Sequence, residues 1–222
     1  MSKSQESANH NTFDLVHDLR APLTAIHGFA TAMLDGTVPT EDFPKYLAFI
    51  QGESERLGGI VSRLLTAEKL SAKKLAPSVF NLAEALRLTL IGMEKTVEDK
   101  RLRVDFAGEE LCVEADRGLL TEALYNLLEN AVKYSPVGGS LGILIKEKDG
   151  AVHVSIRNAA PDLKADELPL LFGRYYRGDT EEKGTGLGLY IAKEILALHS
   201  SILKAEKDGE DIVFFFALPI AK

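Results

Sequence analysis

Two segments in the N-terminal third, each with hydrophobic residues that repeat every seven positions, restrict the possible folds more than any other feature of this chain. Between about Thr12 and Asp35, apolar residues recur three and four positions apart, at Val16, Leu19, Leu23, Ile26, Ala30 and Met33. This spacing predicts an amphipathic helix with one apolar seam. A second helix is predicted to start at Thr40, with its seam at Phe43, Leu47, Ile50, Leu57, Val61 and Leu64. Because the connecting loop is short, the two helices are expected to form an antiparallel hairpin.

A single hairpin cannot fully bury its apolar seams, because the partner helix covers only one side of each seam. Two copies that pair into a four-helix bundle bury them, so the pattern predicts a homodimer. The alternative is that the hairpin packs on the C-terminal half of its own chain. The regularity of the repeat favours the dimer, because such seams usually face other helices.

The pattern changes to mixed helices and strands after a predicted linker at residues 71–77, which separates a helical domain (1–70) from a second domain (78–222). Asn81 and Asp116 are predicted to cap helices, the second of which extends through Lys133. Asp149-Gly150 predicts a hairpin turn between two alternating strands. The expected fold class is α+β: a hairpin forming a dimeric four-helix bundle, then an α/β sandwich with a mixed, mostly antiparallel sheet.

Composition excludes several classes of protein. The chain has 26 basic and 33 acidic residues, a net charge of -7, which argues against nucleic acid as a partner. No apolar run approaches the roughly 18 residues that cross a bilayer, and no signal peptide is recognisable. We therefore expect a cytoplasmic protein without a membrane segment. The single cysteine, Cys112, is expected to be a buried, inert thiol.

His17 is a candidate nucleophile in the string HDLRAPLT. A neutral imidazole nitrogen can attack a phosphoryl group, and the adjacent Asp18 can hold the other ring nitrogen and stabilise the cation that develops. His17 lies one position beyond the seam residue Val16, which predicts partial exposure. Taken alone, His17 is better explained as an ordinary surface histidine, one of five histidines in the chain.

The string NLLENAVKYSP at residues 126–136 indicates a nucleotide site. Asn126 and Asn130 are four residues apart on one helix face, and amide oxygens suit Mg²⁺ when phosphates complete its shell. Lys133 can offset phosphate charge. The alternative is an ordinary helix with two polar positions.

A glycine-rich loop follows at residues 183–189, KGTGLGL. Gly184, Gly186 and Gly188 precede a predicted helix and allow close approach of the backbone to a phosphate. The string LFGRYYRGD at 171–179 is interpreted as a lid over the nucleotide.

These motifs together resemble those of the sensor histidine kinases. The chain is similar to that family in its phospho-acceptor motif at His17, its asparagine motif at 126–136, its phenylalanine-containing motif at 171–177 and its second glycine motif at 184–189. The resemblance implies a dimerising helical hairpin followed by a Bergerat-type ATP-binding domain. It also implies ATP and Mg²⁺ as cofactors and a response-regulator receiver domain as partner. Few residues precede His17, so the input signal is expected either from a separate sensor protein or from the rest of a longer chain.

The resemblance assigns a role to each matching residue. His17 resembles the phosphorylated histidine and Asp18 the adjacent acid that assists transfer. Asn126 and Asn130 resemble the asparagines that hold Mg²⁺. The implied nucleotide contacts are Lys133 and Tyr134, Asn158, the lid-anchoring Phe172, Arg174 and Arg177 at the phosphates, and Gly184, Gly186 and Gly188 along them.

The chain departs from the family at its first glycine motif, usually Asp-x-Gly-x-Gly. The corresponding string is NAAPD, residues 158–162, so Asn158 replaces the aspartate that binds the adenine amino group. Ala160 and Asp162 replace the glycines. Since a charge-assisted hydrogen bond is roughly twice as strong as a neutral one, we expect weak ATP affinity. Ser200-Ser201 replaces a usual Gly-Gly, so a serine is expected to adopt any left-handed cap there.

Three functions remain open from the sequence. The first is an active kinase that phosphorylates His17 and transfers the phosphoryl group to a response regulator. The second is a histidine phosphotransfer protein or pseudokinase with a degenerate nucleotide domain, which the NAAPD string favours. The third is a chaperone-type or topoisomerase-type ATPase, which has no use for a phospho-acceptor helix.

Overall fold

The computed structural model describes residues 3–70, 74–176 and 185–221. The helices are α1 (Lys3–Leu34), α2 (Phe43–Lys69), α3 (Leu82–Ile91), α4 (Glu94–Asp99), α5 (Arg117–Tyr134) and α6 (Gly188–Leu198). The strands are β1 (Ser78–Asn81), β2 (Arg103–Gly108), β3 (Cys112–Ala115), β4 (Ser140–Lys148), β5 (Ala151–Ala159), β6 (Lys204–Asp208) and β7 (Asp211–Pro219). The predicted fold class, α+β with a helical hairpin before a mixed sheet, is confirmed.

Helices α1 and α2 pack against each other as an antiparallel pair, which we call the stem. Phe29 of α1 contacts two rings of α2, Tyr46 at 5.5 Å and Phe49 at 5.6 Å between ring centroids. These contacts fix how the two helices align along their length. None of the described helices combines the length and apolar character needed to cross a bilayer.

The second domain is a five-stranded sheet in the order β2-β4-β5-β7-β6, next to a small β1-β3 sheet. Only the β2–β4 pair is parallel among the described strand pairs. Alternate residues of β4, β5 and β7 are buried on one face, because successive side chains of a strand point to opposite sides. Helices α5 and α6 cover that face and pack against each other.

Local signals in the sequence explain several boundaries. The Oδ1 atom of Asn81 accepts the amide of Glu84 at 3.0 Å, and Oδ1 of Asp116 accepts the amide of Leu119 at 3.0 Å, so both residues cap helices. Asp149 and Gly150 have φ of 53° and 75°, the left-handed pair that a tight hairpin turn requires.

Other expectations from the sequence were wrong in detail. Helix α1 begins at Lys3 instead of Thr12, and a 3₁₀ turn at Thr40–Asp42 precedes α2. The sequence between the Asn81 cap and about Asp99 was expected to form one helix, but it is divided into α3 and α4. Cys112 is exposed, because the alternation of β3 buries Val113 and Ala115 and directs residue 112 outward.

Candidate functional site

Helix α5 carries four polar side chains along one face. Asn126, Glu129, Asn130 and Lys133 are three or four residues apart, the spacing of neighbours on a helix surface. Asn126 is buried, and its Nδ2 donates a 2.8 Å hydrogen bond to the carbonyl of Glu122. Its Oδ1 faces the start of α6, since a Cβ placed on Gly188 would lie 3.1 Å from that oxygen. The amide oxygen is therefore directed at the glycine-rich loop.

Two adjoining cavities lie along this face of α5. The large cavity, of about 310 Å³, extends from Asn130 and Lys133 towards β5 and β7. The small cavity, of about 100 Å³, lies between α5 and the start of α6. Asn130, Lys133 and Tyr176 line both. The cavities are thus two ends of one cleft, which the glycine loop and the asparagine helix both border.

The large cavity holds a buried hydrogen-bond acceptor at its inner end. Asn158 on β5 is 1% exposed, and its Nδ2 donates to the carbonyl of Ala159 at 3.0 Å. Its Oδ1 is buried without a hydrogen-bond partner among the described residues. Leaving such a group unsatisfied costs about 1–3 kcal/mol. Apolar side chains complete the wall, including Ile212 and Phe214. This end suits a flat, mostly apolar group that carries one donor.

The small cavity is suited to an anion. Gly186 and Gly188 line it, and α6 begins at Gly188, so the unpaired amides and partial positive charge of a helix N-terminus lie there. Lys133 lines it from α5 and Arg63 from α2. Phosphates are commonly bound by such a combination of a glycine-rich loop, a helix N-terminus and cationic side chains.

Tyr176 lines both cavities and is held by a carboxylate. Its hydroxyl donates to Oε1 of Glu167 at 3.1 Å. Burial and this interaction with Glu167 raise the pKa of Tyr176 to about 12. Lys133 donates to the hydroxyl of Tyr134 at 3.1 Å, and its Nζ lies 4.6 Å from that ring's centroid.

Gly186 fits against the backbone of the segment that precedes the glycine loop. Its φ is +65°, and a Cβ built on it would lie 2.6 Å from the carbonyl carbon of Tyr175 and 2.7 Å from the carbonyl oxygen of Tyr176. Only glycine satisfies both the left-handed φ and this approach. The position of Tyr176 is thus tied to that of the loop.

Several of the residues proposed from the sequence border the cleft. These are Asn126, Asn130, Lys133, Tyr134, Asn158, Gly186 and Gly188. Phe172 packs edge-on against Phe214, a wall residue of the large cavity, at 6.3 Å. Arg177 and Gly184 lie outside the described residues, as do the side chains of His17 and Asp18.

Arg174 has a different environment from the one the sequence suggested. It lines neither cavity but forms an ion pair with Glu68 of α2, and its guanidinium lies 5.1 Å from the ring centroid of Tyr175. The reason is that α2 docks beside this segment, which places the carboxylate of Glu68 within reach. The contact of Arg174 with phosphate stays a prediction.

Several cleft residues were missed in the sequence, among them three with polar or charged side chains. Glu129 and Arg63 border the small cavity, and Tyr176 borders both. The spacing of Glu129 from Asn126 and Lys133 was a usable signal, because it puts all three on one helix face. Nothing in the local sequence marks Arg63, whose position depends on the docking of α2.

Comparison with protein families gives two matches in the order of the two domains. Residues 13–73 match the His Kinase A (phospho-acceptor) domain. Residues 115–222 match the histidine kinase-, DNA gyrase B-, and HSP90-like ATPase domain.

Relatives cover both domains together. The sensor histidine kinase WalK of Bacillus subtilis is 30% identical over 217 residues, which are 91% of this chain and 35% of WalK. CusS of Escherichia coli K12 is 28% identical over 212 residues, or 93% of this chain and 44% of CusS. The chain therefore spans less than half the length of either relative.

Solved structures show the same arrangement of domains. The histidine kinase AdeS of Acinetobacter baumannii has a TM-score of 0.77 at 20% identity, covering 93% of this chain and 98% of its own. The histidine kinase ThkA, solved in complex with the response regulator protein TrrA, has a TM-score of 0.75 at 27% identity, covering 99% of this chain and 64% of its own.

Proposed function

Because this chain belongs to the sensor histidine kinases and carries their phospho-acceptor hairpin and ATP-binding domain, we propose that ATP bound in the cleft phosphorylates His17. The phosphoryl group then passes to an aspartate of a response-regulator receiver domain. The observation that carries the proposal is the single cleft with a buried acceptor at one end and an anion site at the other.

The two ends of the cleft match the two ends of ATP. The free Oδ1 of Asn158 accepts a hydrogen bond from the adenine amino group, and the apolar wall contacts the ring. The phosphates extend past Tyr176 to Lys133 and the amides at Gly186 and Gly188. The amide oxygens of Asn126 and Asn130 are hard ligands and fit Mg²⁺, which supplies charge neutralisation to the phosphates.

The chemical step is an in-line transfer to nitrogen. A lone pair on a ring nitrogen of His17 attacks the γ-phosphorus as the bond from phosphorus to the β,γ-bridging oxygen breaks, and ADP leaves with that electron pair. The other ring nitrogen keeps its proton and donates to Asp18, which stabilises the imidazolium. In the second step an aspartate oxygen of the receiver attacks the same phosphorus, and His17 leaves as neutral imidazole.

A homodimer is part of the proposal. In one chain the seam residues Val16, Leu23, Leu47 and Val61 remain exposed, which favours burial against a second stem. The response regulator is proposed by analogy with ThkA, whose structure was solved in complex with one. A separate sensor protein and a cytoplasmic location stay predictions.

The first test is labelling of the unmodified protein. Incubation with γ-labelled ATP and Mg²⁺ is expected to give one label that is lost in acid and kept in base, whereas α-labelled ATP gives none. Chelation with EDTA is expected to abolish labelling. A protein that binds no nucleotide but accepts phosphate from a phosphorylated receiver would instead be a phosphotransfer protein, and steady ATP hydrolysis without label would indicate an ATPase.

Replacement of Asn158 tests the base end of the cleft. Asn158→Leu removes the acceptor and is expected to weaken ATP binding about tenfold, the loss of one buried hydrogen bond. Asn158→Asp restores a charged acceptor and is expected to strengthen binding severalfold, because charge-assisted bonds are stronger. Calorimetric titration with ATP and with GTP measures the nucleotide affinity of both variants. Thermal melting without nucleotide checks that they are folded. Equal ATP affinity in all three proteins would contradict this role.

A further inference from the structure

Among the described residues, helix α2 of the stem docks on the nucleotide domain through apolar contacts and two ion pairs. Ala67 and Leu70 are buried in the same core as residues of α5 and α6. Arg63 of α2 pairs with Glu129 of α5, and the Glu68–Arg174 pair lies farther along the helix. The two pairs belong to one interface, but they differ in what surrounds them.

Only the first pair borders the anion site. Nη2 of Arg63 lies 2.6 Å from Oε1 and 2.7 Å from Oε2 of Glu129, and both residues line the small cavity. Arg174 and Glu68 line neither cavity. The Arg63–Glu129 pair is therefore the ion pair of this interface that would interact electrostatically with a bound phosphate.

The charges in the small cavity depend on the stem. Its described charged lining residues are Arg63, Glu129 and Lys133. With α2 docked, Arg63 neutralises Glu129 and leaves Lys133 to act on an anion. With α2 withdrawn, Glu129 would oppose Lys133, and the cavity would lose its net positive charge. Docking of the stem thus favours binding of a polyanion at this site.

Arg63 also lies near the height of His17 on the stem. The Phe29 contacts align that residue with Tyr46 and Phe49. His17 is twelve positions before Phe29, so in an antiparallel pair it is level with residues 58–61. Arg63 is about one helical turn, roughly 5 Å, beyond that level. The anion site thus meets the stem close to the level of the phospho-acceptor.

We propose that Arg63 is a positioning residue for phosphoryl transfer. By pairing with Glu129 it brings the small cavity against the stem near His17, and by neutralising that carboxylate it increases the affinity of the cavity for the nucleotide phosphates. This inference rests on the proposed function. Because the coupling is reciprocal, nucleotide binding in turn stabilises the docked arrangement.

Arg63→Ala, with Glu68→Gln as matched control, tests this proposal in the full chain. Arg63→Ala is expected to lower the autophosphorylation rate at saturating ATP about tenfold and to weaken binding of Mg²⁺·AMPPNP severalfold, as expected for loss of a charge-assisted contact. Arg63→Lys keeps the charge without the forked geometry and is expected to be intermediate. Glu68→Gln breaks the other ion pair of the interface and is expected to change either quantity less than about twofold.

A double variant separates the two effects of Arg63. In Arg63→Ala/Glu129→Gln the unpaired carboxylate is gone, so AMPPNP affinity is expected to recover while the rate stays low, because the docking pair is missing. Equal losses in Arg63→Ala and Glu68→Gln would overturn the proposal, since both residues would then act only in docking. AMPPNP affinity independent of residue 63 would overturn it as well. Both results can be measured as AMPPNP affinity, which does not require labelling of His17, whereas an unlabelled wild-type protein that binds AMPPNP would overturn only the proposed function.

Discussion

Replacing His17 with alanine is expected to abolish all acid-labile labelling from γ-labelled ATP. Alanine has no nitrogen lone pair to attack the phosphorus, and the other histidines of α1, His10 and His27, are seven and ten positions away along the chain. Nucleotide binding should be unchanged, because no residue of α1 is among the described residues that line the cleft. The measurements are label per protein after a fixed time and calorimetric affinity for Mg²⁺·AMPPNP.

His27→Ala is the matched control for this experiment. His27 is an exposed histidine ten positions farther along the same helix α1, so its replacement repeats the chemical change away from the proposed acceptor site. It should retain full labelling. Label that survives in His17→Ala, or that disappears in His27→Ala, would refute the assignment of residue 17. ATP turnover that His17→Ala leaves intact would point to an ATPase.

Features set by neighbouring residues were predictable from the sequence. The caps at Asn81 and Asp116 and the Asp149-Gly150 turn form as expected, because each depends on groups within a few residues. Ser200 adopts the left-handed conformation that its position after α6 suggested, with φ of 56°. The alternation of residues 112–115 also indicates that the side chain of Cys112 is exposed, although cysteines are more often buried.

Features set by docking were not predictable. Arg63 and Glu129 are 66 residues apart, and their pairing requires α2 to lie against α5. Arg174 stands in an arginine-bearing aromatic motif that suggests phosphate binding, yet Glu68 lies within its reach once α2 docks. Local spacing selects which residues share a helix face, but only the packing of domains decides which charges meet. The sequence pattern therefore could not predict the Arg63–Glu129 pair that borders the cleft.

Gly186→Ala is expected to lower both Mg²⁺·AMPPNP affinity and the autophosphorylation rate about 100-fold, a change of about 2.7 kcal/mol. The new Cβ would lie 2.6–2.8 Å from backbone atoms of Tyr175 and Tyr176, which cannot rotate away as a side chain does. The loop or that segment must therefore shift. Either movement displaces the amides at the start of α6 or the side chain of Tyr176, which lines both cavities. The cleft loses its shape, while the sheet and α5 remain folded.

Gly209→Ala distinguishes this clash from simple backbone strain. Gly209 has nearly the same conformation, with φ of +63°, but no atom lies within 4 Å of a Cβ built on it. Its replacement should cost about 1 kcal/mol of stability through the left-handed conformation alone and should leave nucleotide affinity intact. Melting temperatures and AMPPNP titrations of both variants make the comparison. If Gly186→Ala lowers stability like Gly209→Ala but binds AMPPNP normally, the close approach of the loop to Tyr175 and Tyr176 does not shape the site.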